Sequence, residues 1–199
     1  MRQFVHLHVH SQYSLLDGQA SISKLVDKAI DDGMPGIALT DHGNMFGVKE
    51  FFNYVKKKNG ARKDKIKALQ GLIERLENGT ATEAEMGDDS SAALAKARHE
   101  LDNIPKNDFK GIIGCEVYVA RRRLFNKEGK EDQSGYHLIL LAKNMTGYKN
   151  LIKIVSKAYT EGFYMRPRTD HVELEKYHEG LICCSACLGG EIPRLIRAN

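Results

Sequence analysis

The sequence of 199 residues predicts an α/β fold, and two observations carry this prediction. A strand-like segment (residues 4–11), a helix-like segment and the apolar run 36–40 follow one another within about 35 residues, the spacing of a βαβ unit with parallel strands. Further apolar runs of strand length return at residues 111–119, 136–142 and 180–185, with helical or polar segments between them. We therefore expect a sheet with helices packed against it.

Composition places the chain among ordinary globular domains. Hydrophobic residues make up 42%, charged residues 28%, and the net charge is +4. No apolar run approaches the roughly 20 residues that a membrane span needs, and residues 1–3 do not resemble the start of a secretory signal. These features predict a cytoplasmic domain with no membrane partner. The basic clusters at 56–58 and 121–123 are interpreted as solvated surface, since the net charge is too small to indicate nucleic acid.

The first predicted strand, residues 4–11, carries histidine at every second position. Side chains alternate on a strand, so His6, His8 and His10 should share one face, with Val5, Leu7 and Val9 on the other. Imidazole is a common metal ligand, and three in a row would make a poor apolar core. A metal site is therefore the favoured interpretation, and an exposed edge strand with solvated histidines is the alternative.

Helix signals fill the spaces between the strands. Ser21 is a candidate N-cap for a helix that Gly33 should end, and a second helix is predicted over 46–58. Thr169 or Asp170 should begin a short helix that ends near His178. Helical spacing also predicts helices over 146–159 and 192–196.

Residues 59–108 differ in composition from the rest of the chain. This stretch is rich in lysine, glutamate and alanine, with helical spacing over 66–76 and 92–101 and breaks at 78–79 and 87–91. We predict a helical insertion in a domain that spans 1–199. The insertion contains no cluster of metal-ligating residues, so it is predicted to be a surface or partner-contact element.

The four cysteines do not suggest a disulfide framework. Cys183, Cys184 and Cys187 crowd into five positions, and Cys115 stands alone. The CxxC spacing of Cys184 and Cys187 lacks the second pair that a structural zinc site needs, and a redox role is a weaker alternative.

Several chemically active residues fall at or near the ends of the predicted strands. Glu116 interrupts an apolar strand, where an unpaired carboxylate would cost several kcal/mol and so needs a metal or a cation. Carboxylates can bridge two ions, and paired ions favour phosphoryl displacement, so phosphoester hydrolysis is the chemistry that this inventory suits. The candidate metal ligands are His8, His10, Asp17, His42, Glu116, His137 and Cys187.

These residues also carry a family resemblance. The segments 8–11, 40–43, 114–116 and 137–142 resemble the successive motifs of the polymerase and histidinol phosphatase (PHP) domain. Longer phrases at 13–18, 33–35, 40–47, 146–151 and 156–159 resemble, more specifically, the N-terminal part of the alpha subunits of bacterial DNA polymerase III. The resemblance covers nearly the whole chain outside the insertion.

The resemblance implies a distorted (β/α)7 TIM-like barrel with a trinuclear metal centre. It assigns the first motif to His8 and His10, moves His6 and Asp41 to supporting positions, and makes Glu116 the bridging carboxylate. The family's last ligands, an Asp and a His, have no match after Cys187. We therefore expect an incomplete barrel and an N-terminal fragment of a longer polymerase.

The leading functional hypothesis is the PHP domain of a replicative DNA polymerase. It would carry a 3′–5′ exonuclease that uses two or three ions, zinc or alternatively manganese or iron. The implied partners are DNA, at a primer 3′ end, and the other subunits of the polymerase III holoenzyme. A stand-alone phosphatase of the histidinol-phosphate type and a non-catalytic interaction module are the alternatives.

Overall fold

The computed structural model describes residues 4–198; residues 1–3 and Asn199, and with them the prediction about the extreme N-terminus, lie outside the described residues. The chain folds into alternating helices and strands, as predicted. Their bounds are α1 (Ile22–Asp31), β1 (Gly36–Leu39), α2 (Val48–Glu77), α3 (Glu83–Met86), α4 (Ser90–Asp102), β2 (Lys110–Val119), α5 (Gly129–Asp132), β3 (Tyr136–Ala142), α6 (Met145–Thr160), β4 (Arg168–Thr169), α7 (His171–Tyr177), β5 (Leu181–Cys184) and α8 (Glu191–Ala198).

Two compact units divide the chain. The first comprises residues 1–52 and 110–199 and contains all the strands named above, and the second comprises 53–109. The second unit begins and ends within a few residues of the predicted insertion. Among the described residues, no helix is long and apolar enough to cross a membrane.

The sheet of the first unit is mixed, with strand order β1-β2-β3-β5 and β4 beside β2. β1 and β4 run parallel to β2, while β3 lies antiparallel to both β2 and β5. The α/β class is therefore confirmed, although the parallel pairing expected from the βαβ spacing is limited to β1–β2 and β2–β4, since β3 is antiparallel to both of its neighbours. Closure into a barrel stays a prediction.

The prediction of a regular strand over residues 4–11 is wrong. Residues 4–11 lie beside β1, where Ala38 N–H donates to the His6 carbonyl and Thr40 N–H donates to the Val9 carbonyl. Between these two bonds the N-terminal segment advances three residues, from His6 to Val9, whereas the β1 side advances only two, from Ala38 to Thr40. The Val9 N–H donates to the Thr40 hydroxyl at 2.7 Å. The backbone bends at Leu7 and His8, so the ladder breaks and Leu7 is exposed rather than buried.

The predicted second helix is wrong at its C-terminal end. α2 continues for 30 residues to Glu77, through Asn59 and Gly60, instead of stopping near 58. In the second unit, Asn59 makes two hydrogen bonds with the backbone of Phe109, its side-chain N–H donating to the carbonyl and its side-chain oxygen accepting from the N–H. Asparagine is usually a poor helix former, and these two bonds hold Asn59 within the helix.

Other helix signals are confirmed at their ends. The Ser21 hydroxyl accepts from Lys24 N–H at the start of α1, and Gly33, with φ of 71°, follows its end. Asp170 rather than Thr169 caps α7, accepting from Glu173 N–H at 2.9 Å. The short elements α3, α5 and β4 were not predicted.

The main core of the first unit joins one face of the sheet to α6. Cys115, Val117 and Leu140 pack with Leu151 and Ile154 of the helix. Side chains of β2 alternate, so Glu116 faces away from this core and toward the opposite side of the sheet. The strand thus secures its position with one face and presents a carboxylate with the other.

Candidate metal centre

Glu116 stands at the middle of the candidate site. Its side chain is fully buried, and its backbone is fixed on two sides: β2 pairs it with Ile139, and Glu116 N–H donates to the carbonyl of Asp41. Because both neighbours on the strand, Cys115 and Val117, are locked in the core, the carboxylate has little freedom to move. A buried charge held in this way needs compensating positive charge close by.

Imidazole nitrogens surround this carboxylate. Oε2 lies 2.6 Å from His42 Nδ1, 3.3 Å from His10 Nε2 and 3.5 Å from His8 Nε2, and Oε1 contacts His137 Nδ1. The Nε2 atoms of His8 and His10 lie 2.9 Å apart. Two histidines from the N-terminal segment, one from the loop after β1 and one from β3 thus converge on one carboxylate.

The potential ligand atoms form two groups that share Glu116. His8, His10 and Glu116 make one group, and Glu116, His137 and Cys187 make the other; within each group all ligand atoms lie within 4.8 Å of one another. Cys187 Sγ is 3.5 Å from His137 Nδ1. One set of nitrogen and oxygen donors and one that adds sulfur, joined by a shared carboxylate, fit a pair of bridged transition-metal ions.

Unsatisfied polar atoms support this fit. Both oxygens of Glu116 and Nδ1 of His42 are buried, and none of them makes a hydrogen bond of good geometry with a described residue. Buried polar atoms are almost always paired, so three orphaned atoms at one point call for an explanation. A cation bound between these atoms would satisfy all three of them.

Electrostatics keep the carboxylate ionised. Burial alone raises the pKa of Glu116, but the imidazoles of His137, His42 and His8 outweigh burial and hold it far below its usual range. Burial, helped by the charge of His42, lowers the pKa of His10, which favours its neutral form. The contact with Glu116, and then that with Asp17, outweigh burial and raise the pKa of His42 above its usual value. The ionised carboxylate and the neutral His10 are the forms that metal binding requires, and a metal ion would have to displace a proton from His42.

The side chain of Asp41 lies behind the candidate ligands. Its buried carboxylate accepts hydrogen bonds from Ser11 N–H at 2.7 Å and from the hydroxyls of Ser11 and Ser14. The Ser14 oxygen lies 3.2 Å from His10 Nδ1 and accepts from His42 N–H at 3.1 Å. Asp41 therefore orients two candidate ligands through Ser14, a kind of role that is common behind metal-binding histidines.

The remaining predicted site residues lie at the periphery. Asp17 Oδ2 is 3.0 Å from His42 Nε2, on an exposed loop, and it belongs to neither ligand group described above. His6 is exposed, and its ring packs edge-on against Phe4 at 4.7 Å. The structure thus brings six of the predicted ligands around Glu116 or His42, while the supporting role of His6 stays a prediction.

Some residues near the site were not singled out from the sequence. Ser14 contacts His10, Asp41 and His42, which lie four, 27 and 28 residues away, so its place at the site becomes visible only in the folded chain. The Tyr118 ring packs against those of His42 and His137, and its hydroxyl accepts a hydrogen bond from Arg166. The alternation of β2 could have placed Tyr118 on the face of Glu116, but no local signal identifies Arg166.

Comparison with known proteins defines the class of this fold and site. A match to the PHP domain covers residues 6–199, and the chain belongs to this family.

Its curated relatives include DNA polymerase III subunit alpha of several bacteria. The protein of Borreliella burgdorferi is 45% identical over 99% of this chain, that of Treponema pallidum 40% over 97%, and that of Thermus aquaticus 38% over 98%. The chain spans only about an eighth of these relatives, 12–13% of their length.

Proposed function

We propose that this domain is a metal-dependent phosphoesterase that removes nucleotides from DNA 3′ ends, within a replicative DNA polymerase. The observation that carries the proposal is the pair of ligand groups that share the buried, unsatisfied Glu116. Relatives named as a polymerase subunit supply the DNA context. A carboxylate between two donor groups is the arrangement used by two-metal phosphoesterases.

The donor set indicates which ions the centre would hold. His8, His10 and Glu116 would bind one, and Glu116, His137 and Cys187 another, with His42 and Asp17 completing the coordination. Mixed imidazole, thiolate and carboxylate donors suit zinc, with manganese or iron as alternatives. We propose about two or three ions for the complete domain, in line with multi-metal hydrolytic sites.

Bound ions of this kind neutralise phosphoryl oxygens and acidify water. The chain's own residues hold the candidate ligands in position. Asp41, acting through Ser14, fixes the His10 ring and the His42 backbone, so that these ligands are aligned before a substrate arrives. Asp17 contacts His42 Nε2 at 3.0 Å from the solvent side and so orients the His42 ring.

The proposed partners follow from the relatives. We propose a primer 3′ end as the substrate, the other polymerase III holoenzyme subunits as protein partners, and the cytoplasm as the location. A stand-alone phosphatase of the histidinol-phosphate type is less well supported, because every relative named above is a polymerase subunit. A purely structural module would not need the orphaned polar atoms of the centre.

The test is the release of nucleotides from a 3′-labelled primer by the full chain with added Mn²⁺ or Zn²⁺. We predict that His10→Ala lowers this rate at least about 100-fold, the scale expected when a metal site is lost. His99→Ala, which alters an exposed histidine of the second unit, should leave the rate unchanged. Equal activity in the His10 variant and the control would contradict the proposal, as would faster hydrolysis of small phosphomonoesters than of DNA.

A further inference from the structure

A groove opens beside the metal centre that the proposed chemistry does not explain. Its volume is about 730 Å³, and His42 and Tyr118 form the wall nearest the metal ligands. Among the described residues, the side chains that line it include two cations, Arg166 and Lys130, and no carboxylate. The groove is therefore positively charged and lies next to the proposed phosphoesterase centre.

The groove carries a cluster of exposed apolar side chains. Leu16 is 97% exposed, Leu15 86%, Met165 69% and Phe46 63%, and all four line the same cavity. Scattered exposed apolar residues are common on protein surfaces, but a contiguous group at a concave site marks a binding surface. The groove is therefore built to contact a ligand with apolar faces.

Aromatic rings extend this surface as a short ladder. Phe46 and Tyr159 have ring centroids 6.2 Å apart, and Tyr159 and Phe163 are stacked at 6.2 Å. All three rings are partly solvent-exposed, with exposed fractions between 39% and 63%. A row of exposed aromatic faces is the element on which proteins stack the bases of single-stranded nucleic acids.

Arg166 provides the charge that such a ligand requires. Its guanidinium lies over the Tyr118 ring at 4.9 Å and donates a hydrogen bond to the Tyr118 hydroxyl at 2.9 Å. The same ring packs against His137, with centroids 5.2 Å apart. No carboxylate among the described residues pairs with Arg166, so its donors remain available to a phosphate one tyrosine ring from the metal ligands.

The backbone holds this arginine in place. Tyr164 N–H donates to the Arg166 carbonyl at 3.0 Å, and Met165 at the tip of the turn has φ of 60°, which is rare for a residue with a side chain. A Cβ on Gly43 would lie 2.8 Å from Pro167 and 3.1 Å from the Tyr118 ring, so the loop after β1 packs closely on the turn. The groove is thus pre-formed rather than assembled on binding.

We propose that this groove binds the single-stranded 3′ end of a nucleic acid, with bases stacked on Phe46, Tyr159 and Phe163 and a backbone phosphate held by Arg166. The phosphate at Arg166 would adjoin the one presented to the metal centre. This inference rests on the proposed nuclease function and specifies its substrate as an unpaired strand, because successive bases in a duplex are stacked on one another and cannot stack on separate aromatic rings. An apolar peptide is the competing occupant, and it would not need the arginine.

The test is photocrosslinking of the full chain to oligothymidylate that carries 5-iododeoxyuridine at its 3′ end. The reaction is run in EDTA, so that binding is measured without hydrolysis. We expect mass spectrometry to map crosslinks to Phe46 or Tyr159. Arg166→Ala should lower the crosslink yield about tenfold, the effect of losing one good phosphate or stacking contact.

Arg194→Ala is the matched control, because Arg194 lies over the Tyr136 ring at 5.6 Å in the same kind of contact. Its crosslink yield should equal that of the wild type, and a blunt duplex should crosslink several-fold less than the single strand. Crosslinks found only at other residues, or equal yields from Arg166→Ala and Arg194→Ala, would overturn the proposal. Failure of the oligonucleotide to crosslink at all would favour a peptide occupant and also overturn it.

A separate assay distinguishes this inference from the proposed function. The wild-type chain is given Mn²⁺ and bis(4-nitrophenyl) phosphate, a small diester that has no strand to place in the groove. Hydrolysis without crosslinks at the groove would leave the phosphoesterase standing and overturn the groove proposal. Crosslinks at the groove without hydrolysis would support strand binding and overturn the nuclease.

Discussion

Asp41 is the residue that most clearly links folding to the candidate site. It is buried and receives a backbone N–H from Ser11 and hydroxyl donors from Ser11 and Ser14. Hydrogen bonds to a charged group are stronger than neutral ones, and removing the charge leaves donors poorly satisfied. The same contacts that stabilise the loop after the N-terminal segment also place His10.

We predict that Asp41→Asn lowers the free energy of unfolding by about 1–3 kcal/mol, because an amide offers one acceptor oxygen in place of two. Urea denaturation of the variant and the wild type measures this difference. Asp31→Asn, at an exposed position of α1, is the control and should change stability by less than about 0.5 kcal/mol. An Asp41 variant as stable as this control would show that the network contributes little.

At the residue scale, the sequence identifies the candidate ligands more readily than the residues that contact them. Glu116 is recognisable because a carboxylate in an apolar strand needs a partner, and His8 and His10 because their spacing places them together. Ser14 and Arg166 are not recognisable, since their roles depend on contacts with His42, 28 residues away, and with Tyr118, 48 residues away. Long-range hydrogen bonds leave no local pattern.

At the scale of elements, α2 and the N-terminal segment show where tertiary contacts override local signals. The second helix was predicted to end near residue 58, yet α2 continues through Gly60 to Glu77, and Asn59 is held by two hydrogen bonds with Phe109 in the second unit. The N-terminal segment has strand composition, yet the Thr40 hydroxyl takes the Val9 N–H and breaks the ladder. Helix ends with their own caps, such as Ser21 and Asp170, were predictable because the signal is local.

Gly60 therefore weakens a helix that it does not interrupt. A Cβ at this position would meet nothing within 4 Å, and its φ is not in the left-handed region. We predict that Gly60→Ala raises the free energy of unfolding by about 0.5–1 kcal/mol, the difference in helix propensity between the two residues. Thermal unfolding followed by circular dichroism measures the change.

Gly147→Ala is the matched comparison in α6. There a Cβ would lie 1.8 Å from the Gly180 carbonyl oxygen, so the helix and the turn before β5 would have to separate. The same chemical change should lower stability at this position. If both variants raised the melting temperature, helix propensity rather than space would govern both sites.

At the scale of the whole molecule, the candidate centre gathers residues from His8 to Cys187 around one strand. Glu116 of β2 contacts side chains from the N-terminal segment, from the loop after β1 and from β3. Cys187, in the turn after β5, contacts His137. Four imidazoles around a buried carboxylate have little value for packing and much for binding cations. In the proposed centre, Glu116 bridges the metal ions.

Metal analysis of the purified full chain tests this claim most directly. Inductively coupled plasma mass spectrometry should find about two or three transition-metal ions per wild-type chain, in line with multi-metal hydrolytic sites. In Glu116→Gln, which keeps the shape of the side chain but removes the charge shared by both ligand groups, the content should fall below about one ion per chain. A folded Glu116→Gln variant with the same metal content as the wild type, or a folded wild type with no metal, would contradict the account.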